Sequence, residues 1–227
     1  FFTEARYRGT KTVAVTPDYS EVAKLCDEWM HPKQGTDSAL AMAMGHVILR
    51  EFHFGESRSE YFDDYCRKYT DLPMLVRLDE REIEGGRKVL AAGRYLRTSD
   101  FEDRLGQENN AEWKMVALEE DGKIAVPNGS GGFRWGEQGD MVGKWNLEQR
   151  DARDGSEFKL ALTLMDMKDG VADVGFPYFG GVPADYHPGN VQDDVLVRKV
   201  PYRTMRLVKE KGEAEEVKVA SVYDLMA

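Results

Sequence analysis

The sequence predicts an α/β protein: a short parallel, Rossmann-like β-α-β-α N-terminal part, followed by a β-rich, loop-rich part. Up to about residue 78, short apolar runs alternate with helical patterns, which favours parallel strands joined by helices. Beyond that point, runs typical of strands are separated by turn residues and long loops. We therefore divide the chain into residues 1–78 and residues 79–227.

The first strand is predicted at residues 11–15, a β-branched run that ends where Thr16, Pro17 and Asp18 supply the signals that open a helix. A short amphipathic helix follows. Residues 28–31 fit a brief second strand, and residues 32–37 form the loop that starts a second helix. That helix, residues 38–52, is apolar on almost every face, which is typical of a helix buried on most sides. This helix therefore needs other elements that pack against its apolar faces.

The remaining elements are predicted from shorter patterns. Residues 61–69 fit an amphipathic helix, and residues 73–78 fit a strand. The Asp121-Gly122 turn between two apolar runs is a strong hairpin signal. These runs are residues 113–118 and 123–126. Further strands are predicted at residues 158–164, 194–200, 204–209 and 216–222, with a turn at Lys211-Gly212 and a Gly- and aromatic-rich loop at residues 128–145.

The composition excludes several classes of protein. With 227 residues, of which 41% are hydrophobic, the chain can bury a core, and disorder of the bulk is excluded. A net charge of −10 argues against a nucleic-acid or anionic-membrane surface. The longest apolar-leaning stretch, residues 39–49, is too short to cross a bilayer, so we expect no direct membrane insertion. Cys26 and Cys66 cannot supply a four-cysteine zinc or iron–sulfur site.

Two aspartates form the most informative pair. Asp18 and Asp37 each follow a predicted short strand and open a helix. If the strands are parallel neighbours, both loops emerge at the carboxyl edge of one sheet, where α/β folds bind ligands. Carboxylates accept hydrogen bonds, so this edge suits ribose hydroxyls or the N1–H and amino edge of guanine. The alternative is that both residues cap helices, a role worth about 1 kcal/mol.

Other candidate sites are weaker. The glycine spacings of common dinucleotide and triphosphate loops are absent, and no histidine pair has metal-ligand spacing, so no metal site is predicted. Ser130 lacks the strand-to-helix elbow of a nucleophilic serine. The loop that contains Ser130 also carries aromatic rings and cations, which either stack a base or sugar or anchor the loop to its own domain. These residues are Phe133, Arg134, Trp135, Lys144 and Trp145.

Residues 11–27 and 32–40 closely resemble the molybdopterin oxidoreductases of the dimethyl sulfoxide reductase superfamily, and within them the catalytic alpha subunits of respiratory membrane-bound nitrate reductases. The resemblance continues through residues 69–76, 105–110, 132–136, 144–150, 174–181 and 222–225. Neither end has the features of a natural terminus: Phe1 is not a methionine, and the last residues lack a helix cap or polar tail. We therefore expect an internal fragment of a larger multidomain subunit.

The resemblance implies that two loops hold the guanosine end of a molybdopterin guanine dinucleotide. Thr16, Pro17, Asp18 and Tyr19 would approach the nucleotide from the first strand end, and Gly35, Thr36 and Asp37 from the second. Of the two acids, Asp37 is predicted to take the base. The molybdenum ligand and the iron–sulfur ligands of the family belong to segments outside this sequence, so no catalytic residue or metal ligand is assigned here.

The resemblance also implies a parent enzyme that reduces nitrate to nitrite with electrons from quinol. These electrons pass through an iron–sulfur beta subunit and a membrane gamma subunit, which place the enzyme peripherally at the cytoplasmic face of the membrane. The fragment alone is expected to be inactive. Two alternatives stay open: a sister enzyme that reduces chlorate or selenate, and a non-catalytic module that binds a nucleotide or a glycan.

Overall fold

The computed structural model describes residues 1–53, 58–83, 86–127, 150–178, 194–208 and 213–227. These residues confirm the predicted mixture of helices with parallel and antiparallel strands. The chain divides into two compact units, Phe1–Ser57 with Met226–Ala227, and Arg58–Leu225. The boundary placed at residue 78 from the sequence falls within a strand of the second unit. Across the described ranges, no helix is both long and apolar enough to cross a membrane.

The N-terminal unit has the predicted β-α-β-α order. Its elements are α1 (Phe2–Tyr7), β1 (Val13–Val15), α2 (Glu21–Lys24), β2 (Glu28–Met30) and α3 (Asp37–Phe52). The two strands pair in parallel, with Val13 opposite Glu28 and Val15 opposite Met30. Helix α1 was not predicted. The parallel pairing fixes which loops share an edge of the sheet.

A polar clasp holds the amino ends of β1 and β2 together. The backbone N–H and the hydroxyl of Thr12 donate to Asp27 Oδ2 at 2.8 and 3.0 Å. Arg6 Nη2 lies 2.9 Å from the other carboxylate oxygen of Asp27. The hydrogen bonds from Thr12, together with the Arg6 guanidinium, hold the pKa of Asp27 below its ordinary value. The clasp therefore favours a single register of the strand pair.

Helix α3 forms where predicted, but the described part of the chain leaves most of its side chains exposed. Of its side chains, only Leu49 is buried. Met42 is 63% exposed and Phe52 is 60% exposed. Within the described residues, the prediction of a helix buried on most sides is therefore not met, because a sheet of two three-residue strands offers too little surface to cover it.

The second unit is built around a closed five-stranded barrel. Its elements are α4 (Glu60–Tyr69), β3 (Leu75–Ile83), β4 (Arg87–Tyr95), β5 (Ala117–Leu118), β6 (Ile124–Ala125), β7 (Gly170–Tyr178), β8 (Asp194–Val208), β9 (Ala214–Ser221) and α5 (Val222–Met226). The barrel order is β3-β4-β7-β8-β9, and β5 and β6 form a separate hairpin around the predicted Asp121-Gly122 turn. Leu75, Val174 and Val219 are fully buried in its core clusters.

Several predictions for this unit were wrong. Residues 158–164 form no strand: Leu160, Ala161, Leu162 and Leu164 are buried, but the ladder contact of the segment is one isolated bridge between Glu119 and Leu160. Their backbone groups bond partly to the backbone of β5, where the Ala161 N–H donates to the Leu118 carbonyl at 2.8 Å, and partly to side chains, as where Arg67 Nε donates to the Leu160 carbonyl at 2.7 Å. The two strands predicted on either side of Pro201 are one continuous strand, β8, in which Pro201 lies opposite Val171. Strands β4 and β7 and helix α5 were not predicted, and the predicted turn at Lys211-Gly212 lies outside the described residues.

Helix α5 is fixed by one partly buried carboxylate, that of Asp224. Asp224 accepts hydrogen bonds from the Leu164 backbone N–H and the Ser221 hydroxyl, both at 2.8 Å, and from the Thr163 hydroxyl. The Asp224 N–H donates back to Ser221 Oγ at 3.0 Å, which completes a reciprocal helix cap. Burial raises the pKa of Asp224 despite these donors. The cap ties the end of β9 to the irregular segment at residues 163–164.

A fully buried carboxylate, that of Asp151, joins the chain on either side of residues 128–149. Its side chain is 3% exposed and accepts from the backbone N–H of Val126 at 3.1 Å and from Arg153 Nε at 2.8 Å. The Ala152 N–H also donates to the Val126 carbonyl at 2.8 Å. The hydrogen bonds from Arg153 and Val126 outweigh the opposing effect of burial and lower the pKa of Asp151.

We predict that Asp151→Asn lowers the free energy of unfolding by about 2 kcal/mol at neutral pH, because charged hydrogen bonds to a buried acceptor are lost. Since the folded-state pKa lies below the ordinary value of 3.8, this stabilisation is present above pH 3.8 and is lost as the pH falls through the folded-state pKa. Urea titrations at several pH values measure the difference. Asp154→Asn, an exposed neighbour, is the control, and equal midpoints for Asp151→Asn and wild type at pH 7 would contradict the prediction.

Candidate functional site

The candidate site lies at the carboxyl ends of β1 and β2. Val15 and Met30 are the last paired residues, and the Thr16 N–H still donates to the Met30 carbonyl at 3.1 Å. Residues 16–19 and residues 31–37 therefore leave the sheet at the same edge, as the sequence predicted. Ligands of α/β proteins bind at this edge.

The first loop, residues 16–19, leaves the carboxylate of Asp18 exposed. Asp18 is exposed, and its carbonyl accepts from the Ser20 N–H at 2.9 Å. Ser20, not Asp18, is the N-cap residue of α2, so the capping alternative is wrong for Asp18. Among the residues that the structure describes, no hydrogen bond or ion pair is made by the Asp18 carboxylate. Its oxygens are therefore available to a ligand.

The second loop is a tight turn that ends on the other acid. Gly35 has a φ of +80°, a left-handed conformation that favours glycine. Thr36 donates to the Lys33 carbonyl through its hydroxyl at 2.7 Å and through its N–H at 3.0 Å, so its side chain does not cap α3. Asp37 is exposed in the first turn of α3, where the helix dipole favours a negative charge. Within the described ranges its carboxylate also has no hydrogen-bonding partner.

A row of three rings at this edge was missed from the sequence. Tyr19 packs against Trp29 with ring centroids 5.1 Å apart and an angle of 72°, and Trp29 contacts His31 at 4.8 Å. The indole N–H of Trp29 donates to the Thr16 carbonyl at 2.9 Å. Trp29 and His31 are two residues apart on an extended segment, a spacing that places side chains on one face and could have indicated the row.

The other candidates within the described residues have weaker support. A cleft of about 990 Å³ on the second unit contains Arg77 and Arg94, but Arg77 pairs with Glu215 and Arg94 with Asp100.

Burial raises the pKa of the Cys66 thiol to about 11, which makes it a poor nucleophile. In the described part of the chain, no group of three His, Cys, Asp or Glu residues could hold a metal ion. The loop candidates lie outside the described residues: Ser130, Phe133, Arg134, Trp135, Lys144 and Trp145.

Comparison with known proteins finds no matching family model, but it finds similar sequences over the whole chain. The respiratory nitrate reductase 1 alpha chain of Escherichia coli K12 is 54% identical over 225 residues, 99% of this chain and 17% of that protein. The nitrate reductase alpha chain of Bacillus subtilis 168 is 36% identical over 227 residues, all of this chain and 16% of that protein. The perchlorate reductase subunit alpha of Dechloromonas aromatica is 32% identical over 139 residues, 61% of this chain and 12% of that protein.

The chain thus spans about one sixth of the length of the curated relatives that it matches. The identity nevertheless runs through both compact units, because the aligned residues cover all or nearly all of the sequence. By this likeness, the chain belongs to the family of respiratory nitrate reductase alpha chains.

Proposed function

We propose that this chain is part of the catalytic subunit of a molybdenum-dependent nitrate reductase and that its N-terminal unit binds the guanosine end of molybdopterin guanine dinucleotide. The observation that carries the proposal is the pair of open carboxylates, Asp18 and Asp37, on two loops at one sheet edge. The likeness to nitrate reductase alpha chains supports the same assignment.

The residues present fit a nucleoside. Both acids offer only hydrogen-bond acceptors, which match the hydroxyls of ribose and the N1–H and amino groups of guanine. The space beside Gly35 is open, since a Cβ atom built there would meet no atom within 4 Å. Thr16, Pro17, Asp18 and Tyr19 would hold the nucleotide from one side, and Gly35, Thr36 and Asp37 from the other, with Asp37 on the base.

The bound cofactor would supply the redox centre at which nitrate is reduced to nitrite. The role of this chain is then to bind and orient the nucleotide tail, and none of its residues is assigned a catalytic step. In the parent enzyme, we propose that it works with the remainder of the alpha subunit, an iron–sulfur beta subunit and a membrane gamma subunit that delivers electrons from quinol. This assembly would lie at the cytoplasmic face of the membrane.

A sister oxyanion reductase is the second candidate, because the perchlorate reductase subunit alpha is also similar to this chain. We predict that the complete subunit, purified from a molybdenum-replete host, oxidises a reduced viologen faster with nitrate than with chlorate, selenate or perchlorate. Initial rates at equal oxyanion concentrations measure this preference. Protein with full molybdenum content that turns over another oxyanion but not nitrate would replace the first candidate with the second.

We further predict that Asp37→Ala in the complete subunit lowers its guanine-nucleotide content at least about tenfold, since a charge-assisted hydrogen bond to the base contributes ~1.5–3 kcal/mol. Nucleotide released by acid denaturation is quantified per mole of protein, and the thermal midpoint of the cofactor-free protein is measured alongside. The midpoint should change little because the Asp37 side chain is exposed.

Glu51→Ala is the matched control, because Glu51 is an exposed acid on the same helix but lies at its far end. This control should keep the wild-type nucleotide content. An Asp37→Ala protein with unchanged nucleotide and molybdenum content would count against the proposed role of the sheet edge.

A further inference from the structure

The row of rings physically links the first loop to the second strand. Trp29 lies on β2 opposite the buried Ala14 of β1, and its indole N–H reaches the Thr16 carbonyl. This bond and the parallel ladder fix the indole in place. Tyr19 stands nearly perpendicular to the indole, at 72°, and is held against it.

Tyr19 nevertheless keeps much of its surface open. Tyr19 is 59% exposed, whereas Trp29 is 37% exposed. A loop tyrosine that only anchored its loop would gain most by burying its ring. The arrangement instead presents an aromatic ring that packs against Trp29 and follows Asp18 in the sequence, at the edge where both loops emerge.

We propose that Tyr19 forms the stacking surface for the purine base of the nucleotide bound at this edge, and that Trp29 is the positioning residue that holds Tyr19 there. The proposal rests on the proposed function and extends it to a specific contact and to a residue outside the two loops. An exposed aromatic ring that packs against a neighbouring side chain is suited to this task because every base has a π-face that stacks on such rings.

Stacking and hydrogen bonding divide the recognition of a base without competing. A carboxylate binds donors in the plane of the base, at its edge, while an aromatic ring contacts the face of the base. Tyr19 can therefore contribute affinity on the face while Asp37 selects guanine at the edge. Trp29 contributes through Tyr19, since holding the ring in advance reduces the conformational freedom lost on binding.

The test uses the complete subunit and measures how fast guanine nucleotide is lost on incubation after loading, by chromatography of the retained nucleotide. Tyr19→Leu is expected to lose nucleotide about tenfold faster, because base–ring stacking is removed. Tyr19→Phe keeps the ring and should retain nucleotide as wild type does. Trp113→Leu, in which a 77% exposed ring of the second unit is removed, is the matched control and should also behave as wild type.

The positioning role is tested by combining variants. Trp29→Leu should approach the loss rate of Tyr19→Leu, and the double variant should be no faster than Tyr19→Leu alone, because both changes remove one contact. Effects that multiply in the double variant would overturn the positioning role. If Trp29→Leu does not fold, Trp29→Phe replaces it in the cycle, with a smaller expected effect because a ring remains.

The outcomes separate this proposal from the proposed function. If Asp37→Ala loses nucleotide and Tyr19→Leu retains it at the wild-type rate, the stacking role is overturned and the cofactor site stands. If neither variant loses nucleotide, the proposed site itself is wrong, and the stacking role falls with it.

Discussion

The parallel pairing of β1 and β2 is the constraint on which the candidate site depends. Only three residue pairs define it, and the clasp between Thr12 and Asp27 fixes it at one end. Because side chains alternate along a strand, a slip of one residue would send Trp29 to the opposite face of the sheet and separate it from Tyr19. The register therefore determines both which loops meet and which rings face the same side.

The two units differ in how completely they bury their apolar side chains. The barrel closes on itself, so its strands satisfy one another and its core residues, such as Val174 and Val219, are fully buried. The N-terminal unit places two acidic loops well but buries little, and α3 keeps large apolar side chains exposed. The N-terminal unit, which carries the candidate site, therefore buries its apolar side chains less completely than the barrel unit does.

The sequence predicted β1, α2, β2 and α3, though not α1, because the signal for each of the four is local: a β-branched run, a cap signal or a helical period. The barrel was not predictable, since β4 carries charged and small residues with little apolar alternation and closes through distant partners. Residues 158–164 show that an apolar run indicates burial rather than pairing. The two acid loops were found from their positions after strands, whereas the partner of Tyr19 lies on a strand of only three residues. The cofactor contacts themselves remain predictions.

The open sheet of the N-terminal unit has a consequence for handling the protein. A sheet of two strands has an outer edge on each of them, and such edges present backbone N–H and C=O groups that can pair with another molecule. Helix α3 also leaves apolar side chains exposed. Two copies of the chain could therefore associate through these edges and this helix, and association would increase with concentration. Solutions of this chain should therefore be judged first by light scattering across a dilution series, since self-association would precede any loss of secondary structure.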